Sequence, residues 1–174
     1  NAIQRELLAR SCPGAATART LLASDIDATL TGDGPAAHRF AGWVETRDPQ
    51  IRFAVATGRS VSQARAVLTR WALPTPDLFI TSCGTEIWRR TDHALTLCAA
   101  YAATLDWDRA GIAAALRGLG LTPQARCEQR RWKLSYLGTA DDGLRISDAL
   151  DRHGLSARVI PSHGRFIDVM PVGA

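Results

Sequence analysis

Two kinds of run alternate along the first half of the chain. Leu21-Leu22-Ala23, Ile51-Arg52-Phe53-Ala54-Val55-Ala56 and Leu78-Phe79-Ile80 are short and mostly apolar. Runs of that length, bounded by turn residues, predict strands over 21–25, 52–56 and 78–81. The polar stretches between them carry apolar residues at helical spacing, which predicts helices near 35–45 and over 60–72. In the second of these, Val61, Ala64, Val67, Leu68 and Trp71 share one face. Strands alternating with helices predict an α/β fold built on a parallel, doubly wound sheet. Residues 1–10 read as helical, and 11–20, with Pro13 and Gly14, as a linker.

The pattern changes after Trp88. A helix near 106–118 carries Ile112, Leu116 and Leu119, and a strand at 132–137 follows. A second helix near 141–153 carries Leu144, Ile146, Ala149 and Leu150 and ends at Gly154, a C-cap residue. Strands near 156–161 and 165–170 complete an α-β-α-β-β layer. The division expected is therefore a helix and linker over 1–20, a core over 21–87 and a small α/β domain over 88–174.

The chemistry concentrates at two strand ends. Asp25-Ile26-Asp27-Ala28-Thr29 follows the first strand and closes in a Gly32-Asp33-Gly34 turn. In open α/β sheets ligands sit beyond the carboxyl ends of the strands. A carboxylate there can attack phosphorus, and a second can hand a proton to the leaving oxygen. Thr57-Gly58-Arg59-Ser60 follows the second strand and opens a helix. Its hydroxyl and N–H groups face the helix N-terminus, where anions are favoured; Thr57 and Ser60 also suit plain N-capping.

Both blocks resemble the first and second motifs of the haloacid dehalogenase (HAD) superfamily, and the resemblance extends to its sucrose-phosphate phosphatase branch. Leu78–Trp88 is similar to that branch's third strand and Gly-Ser/Thr-Glu-Ile turn. Glu128–Tyr136 and Ser162–Pro171 are similar to two segments of its cap. The resemblance implies a Rossmann-like parallel-sheet core and an α/β cap that covers it and reads the sugar. It implies a Mg2+-dependent sugar-phosphate phosphatase, with sucrose 6-phosphate as favoured substrate. Asp25 would be the nucleophile and a metal ligand. Asp27 would be the general acid/base, with its carbonyl on the metal. Thr57, Gly58 and the Ala28 N–H would contact phosphate, and Arg59 would form a structural ion pair or contact the substrate. Glu86 from the core rim, with Gln129, Lys133, Ser162 and Arg165 from the cap, would contact the sugar. Trp132 suits stacking on a sugar ring or a place in the core.

The branch pattern continues with a lysine and an acidic Gly-Asp-x-x-Asn-Asp stretch that would fall past Ala174. The core is thus expected to be incomplete at its C-terminal end, and residues 1–174 alone to have little activity. The chain is read as a segment of a longer polypeptide. Arg130-Arg131 stands where the branch has Asn-Pro, which points to a different sugar or to a solvated strand edge. Two alternatives stay open: a phosphatase for another glycosyl phosphate, and a non-catalytic domain attached to a sucrose-phosphate synthase-type enzyme.

Composition narrows the rest. Hydrophobic residues make up 46% and charged residues 22% of 174, ordinary for a globular protein. No apolar run is long enough for a membrane span, and Asn1–Leu8 is too short and too charged for a signal peptide. The excess of 21 basic over 17 acidic residues suits an anionic substrate. No basic run exceeds two residues, which argues against nucleic acid. Cys12, Cys83, Cys98 and Cys127 lack zinc or disulfide spacing, and a reducing cytoplasm is the context expected.

Overall fold

The computed structural model describes residues 20–92 and 94–174, so all of the helix and linker read over 1–20 except Thr20, which opens the first strand, lies outside the described residues. The chain divides into two compact units, 1–103 and 104–174. No helix among the described residues is long and apolar enough to cross a membrane.

The first unit holds a five-stranded sheet in the order β1-β2-β3-β4-β5. These strands are β1 (Thr20–Ser24), β2 (Ile51–Ala56), β3 (Leu78–Thr81), β4 (Glu86–Arg90) and β5 (Leu95–Leu97). The first three run parallel, with Leu22 opposite Phe53 and Val55 opposite Phe79; β4 and β5 add antiparallel. Helix α1 (Gly34–Thr46) links β1 to β2, and α2 (Val61–Arg70) links β2 to β3. The pleat sends alternate residues to opposite faces. Phe53, Val55 and Phe79 meet Ala37 and Val44 of α1 and Ala64 and Leu68 of α2 on one side. Ala54 and Leu78 meet Ile87 and Cys98 on the other, where the short helix α3 (Ala99–Ala102) follows. Phe53, Phe79 and Ile26 are fully buried, each contributing roughly 1.5–3 kcal/mol.

The sequence reading ends this unit at residue 87, whereas β4 and β5 carry it on to residue 103. The charged residues Arg89 and Arg90 mask β4, and three residues of β5 are too few to show a period.

At the N-terminal end of β3, Asp77 anchors the sheet. It accepts from the Phe53 N–H at 2.9 Å and from Arg47 Nη2 at 2.6 Å, and Arg90 and Arg52 stand at 3.2 and 3.6 Å. Burial works to raise its pKa, but the Phe53 hydrogen bond and the guanidiniums of Arg90, Arg47 and Arg52 together hold it below the usual carboxylate value.

The second unit holds a four-stranded antiparallel sheet, β6 (Thr122–Pro123), β7 (Leu134–Leu137), β8 (Arg158–Ser162) and β9 (Phe166–Met170), ordered β6-β7-β9-β8. Helices α4 (Arg109–Leu116) and α5 (Ala140–Arg152) cover one face. Ile112, Leu116, Ile146, Ala149 and Leu150 pack there on Leu134, Ile167 and Val169. A Thr139–Asp142 capping box opens α5, and Gly154 at φ 63° closes it.

Candidate active site

Asp25 is the first residue past β1 and is exposed. The loop after it closes on a single acceptor. The Ile26 carbonyl receives the N–H groups of Leu30 and Thr31 at 3.1 Å each and the Thr31 hydroxyl at 2.9 Å. Ile26 and Leu30 are buried and pin the loop to the core, which leaves Asp25, Asp27, Ala28 and Thr29 outward. Ala28 takes φ 55°, a left-handed conformation that turns the chain back, and its N–H reaches Thr31 Oγ1 at 3.3 Å.

The turn after β2 lies beside it. Thr57 is buried, and its N–H donates to the Ile80 carbonyl at 2.9 Å. Its hydroxyl oxygen accepts from the Arg59 N–H at 3.3 Å. Ser60, not Thr57, caps α2: a capping box joins it to Gln63. Gly58 is exposed, and a Cβ there would touch the Cys83 sulfur at 3.4 Å. The Arg59 side chain crosses to the first loop and grips Asp27, Nε to Oδ2 at 2.9 Å and Nη2 to Oδ1 at 2.8 Å.

A third loop, between β3 and β4, forms the wall behind the second. Ser82, Cys83 and Gly84 all take positive φ, at 53°, 60° and 92°. Such a run strains the two side-chain-bearing residues. Two hydrogen bonds tie it to the neighbouring turn, from the Ser82 N–H to the Arg59 carbonyl at 2.8 Å and from the Cys83 N–H to the Thr57 carbonyl at 3.3 Å. The Tyr101 hydroxyl donates to the Gly84 carbonyl at 2.6 Å, and burial raises its pKa. Glu86 is buried beyond this loop and accepts from Trp88 Nε1 at 3.1 Å. Three loops thus converge where strands β1, β2 and β3 end. The left-handed backbone of the third, and Asp27 as the partner of Arg59, are not legible in the sequence.

In the second unit the face of the sheet away from α4 and α5 is the polar one. Ser135, Asp168 and Ile160 form one row across it, and Leu137, Phe166 and Ser162 the next. Lys133 is buried with Nζ 3.3 Å from both Glu128 Oε2 and Asp168 Oδ1. The Ser135 hydroxyl donates to Asp168 at 2.5 Å. Gln129 is fully engaged with backbone: its amide nitrogen donates to the Ser135 and Gln124 carbonyls at 2.6 and 3.2 Å, and its oxygen accepts from the Ser135 N–H. Lys133, Gln129, Ser135 and Asp168 are therefore one cluster. Ser162 and Arg165 lie apart from it at the β8–β9 turn, where the Arg165 guanidinium stacks over Phe166 at 4.6 Å. Trp132 is buried, with the Arg131 guanidinium 4.7 Å above its ring.

Among the described residues no group of three His, Cys, Asp or Glu side chains gathers as a metal cage. Magnesium does not need one. It takes oxygen ligands and is commonly held by one or two carboxylates with water and substrate phosphate. The exposed Asp25 carboxylate and the carbonyl of Asp27 are oxygen donors of that kind.

The family profile described as sucrose-6F-phosphate phosphohydrolase matches residues 18–174. The chain belongs to this family. Sucrose-phosphatase 2 of Nicotiana tabacum is 29% identical over 169 residues, which cover 90% of this chain and 39% of that protein. Mannosylfructose-phosphate phosphatase of Agrobacterium fabrum is 28% identical over 160 residues, 88% of this chain and 64% of that protein. The sucrose-phosphatase of Synechocystis, solved with sucrose and phosphate, superposes with a TM-score of 0.76 at 30% identity, over 88% of this chain and 64% of that one. A haloacid dehalogenase-like hydrolase from Bacteroides thetaiotaomicron shares the fold at 13% identity, with a TM-score of 0.64. The chain thus spans less than two thirds of the length of the Nicotiana, Agrobacterium and Synechocystis proteins, and its fold is the α/β fold of HAD-like hydrolases.

Proposed function

We propose that this chain carries the nucleophile and the cap of a magnesium-dependent sugar-phosphate phosphatase, with sucrose 6-phosphate as its favoured substrate. The observation that carries the reading is the convergence of the Asp25–Asp27 loop and the Thr57 turn beyond adjacent parallel strands, in a member of this family.

An Asp25 carboxylate oxygen attacks phosphorus and the bond to the sugar oxygen breaks, giving an aspartyl phosphate. Asp27 supplies the proton that the leaving oxygen takes up, then receives one from the water that hydrolyses the aspartyl phosphate. The Thr57 hydroxyl and the N–H groups of Gly58 and Ala28 hold phosphate oxygens. The Asp25 carboxylate and the Asp27 carbonyl would hold magnesium, which would supply positive charge against the transferring phosphoryl group. Ser162 and Arg165 offer donors to sugar hydroxyls, and Lys133, buried between Glu128 and Asp168, serves by holding those carboxylates. Gln129 serves through the Ser135 backbone that it grips, and Glu86 from the core rim. The same site suits other disaccharide phosphates, since one family relative is named for mannosylfructose phosphate.

The test is phosphate release by the full-length polypeptide from a panel of sugar phosphates, including both of these, with and without magnesium. Metal-dependent release that Asp25→Asn abolishes is the expected result. A folded protein that releases phosphate from none of them would refute the reading.

A further inference from the structure

Arg59 joins two loops that the sheet does not connect directly. Its backbone is held at a fixed base, with the N–H toward Thr57 Oγ1 at 3.3 Å and the carbonyl accepting from the Ser82 N–H at 2.8 Å. From there the guanidinium reaches both Asp27 oxygens, at 2.9 and 2.8 Å. A two-point grip fixes the plane of a carboxylate as well as its position, which a lysine ammonium cannot do. Each carboxylate oxygen accepts one of these two bonds.

The fork contributes little to stability. The Asp27 and Arg59 side chains are 51% and 37% exposed, and ion pairs open to water are worth about 0–1 kcal/mol. Nor is it needed to shape the loop, which closes on the Ile26 carbonyl by itself. What the fork sets is the direction of the Asp27 carboxyl.

We infer that Arg59 is a positioning residue that aims Asp27 at the leaving oxygen, rather than a group that binds phosphate. The inference rests on the phosphatase reading above. In the first half-reaction the Asp27 proton passes to the sugar oxygen as its bond to phosphorus breaks; in the second, Asp27 takes a proton from the attacking water. A carboxyl free to rotate meets neither oxygen reliably.

The test compares two leaving groups in the full-length protein. A sugar alkoxide needs the proton; 4-nitrophenolate, released from 4-nitrophenyl phosphate, does not. Arg59→Gln is expected to lower kcat on sucrose 6-phosphate on the order of 10²-fold, and on 4-nitrophenyl phosphate by less than about fivefold, with KM unchanged on both. Arg59→Lys, which keeps the charge and loses the fork, should lie between wild type and Arg59→Gln on the sugar phosphate. On an Asp27→Asn background, Arg59→Gln should add no further loss, because residues acting as one unit are not additive. Equal losses on both substrates, or a loss confined to KM, would overturn the inference, as would additive losses in the double variant. If Arg59→Gln does not fold, the Arg59→Lys ratio between the two substrates decides. Failure of the phosphatase reading is separate and visible earlier, as a wild-type protein that turns over neither substrate.

Discussion

The Lys133 ammonium lies 3.3 Å from the Asp168 carboxylate, and Glu128 faces it at the same distance. Lys133 is almost fully buried, and both acids are mostly covered. Removing the cation leaves two carboxylates facing each other with little water. Lys133→Met is expected to destabilise the second unit by roughly 3 kcal/mol, because breaking a buried pair strands its partners. Urea unfolding followed by Trp fluorescence measures this. A cost under about 1 kcal/mol would mean that solvent already screens the three charges.

Asp25 behaves in the opposite way. It is exposed and holds nothing in the core, so Asp25→Asn should leave stability within about 0.5 kcal/mol of wild type. Its loss should cut phosphate release by on the order of 10³-fold or more, as expected for a nucleophile. Melting curves and phosphate-release assays on one preparation separate the two effects. Residual turnover near wild type would remove Asp25 from the chemistry.

Asp77 ties stability to pH. Its folded pKa is depressed, so its contribution is complete above the unfolded value of about 3.9 and is lost as pH falls through the lower folded value. Asp77→Asn should cost about 2 kcal/mol at neutral pH, from charged hydrogen bonds to Arg47 and the Phe53 N–H. Below about pH 4 the variant should lose stability less steeply than wild type. Denaturant titrations at pH 7 and at pH 3 measure both quantities; parallel curves would contradict the assignment.

Much of this fold is written in local pattern. β1, β2 and β3 are short apolar runs with breakers on both sides, and α1, α2 and α5 carry clear apolar faces and polar caps. The Asp25–Asp27 and Thr57 positions were legible because a strand end followed by a turn is a local event. What was not legible depends on partners distant in sequence. The Arg59–Asp27 fork spans two loops. Gln129 reads as a sugar contact until β7 places the Ser135 backbone against it. The left-handed run at Ser82 and Cys83 breaks the preference of those residues, and their N–H groups donate to the Arg59 and Thr57 carbonyls, which are distant in sequence.

The Thr81 hydroxyl gives a last test of the loop wall. Thr81 is fully buried at the end of β3, and its Oγ1 has no hydrogen-bond partner among the described residues. An unsatisfied buried hydroxyl costs about 1–3 kcal/mol. Valine keeps the branched shape and the strand preference while removing the polar atom. Thr81→Val is therefore expected to stabilise the protein by roughly 1 kcal/mol, read as a raised Tm in calorimetry. The neighbouring Ser82 hydroxyl is buried in the same way, so it provides no partner that the substitution would strand. A loss of stability of 1 kcal/mol or more would show that a trapped water satisfies the Thr81 hydroxyl, and would make that water part of the wall behind the Thr57 turn.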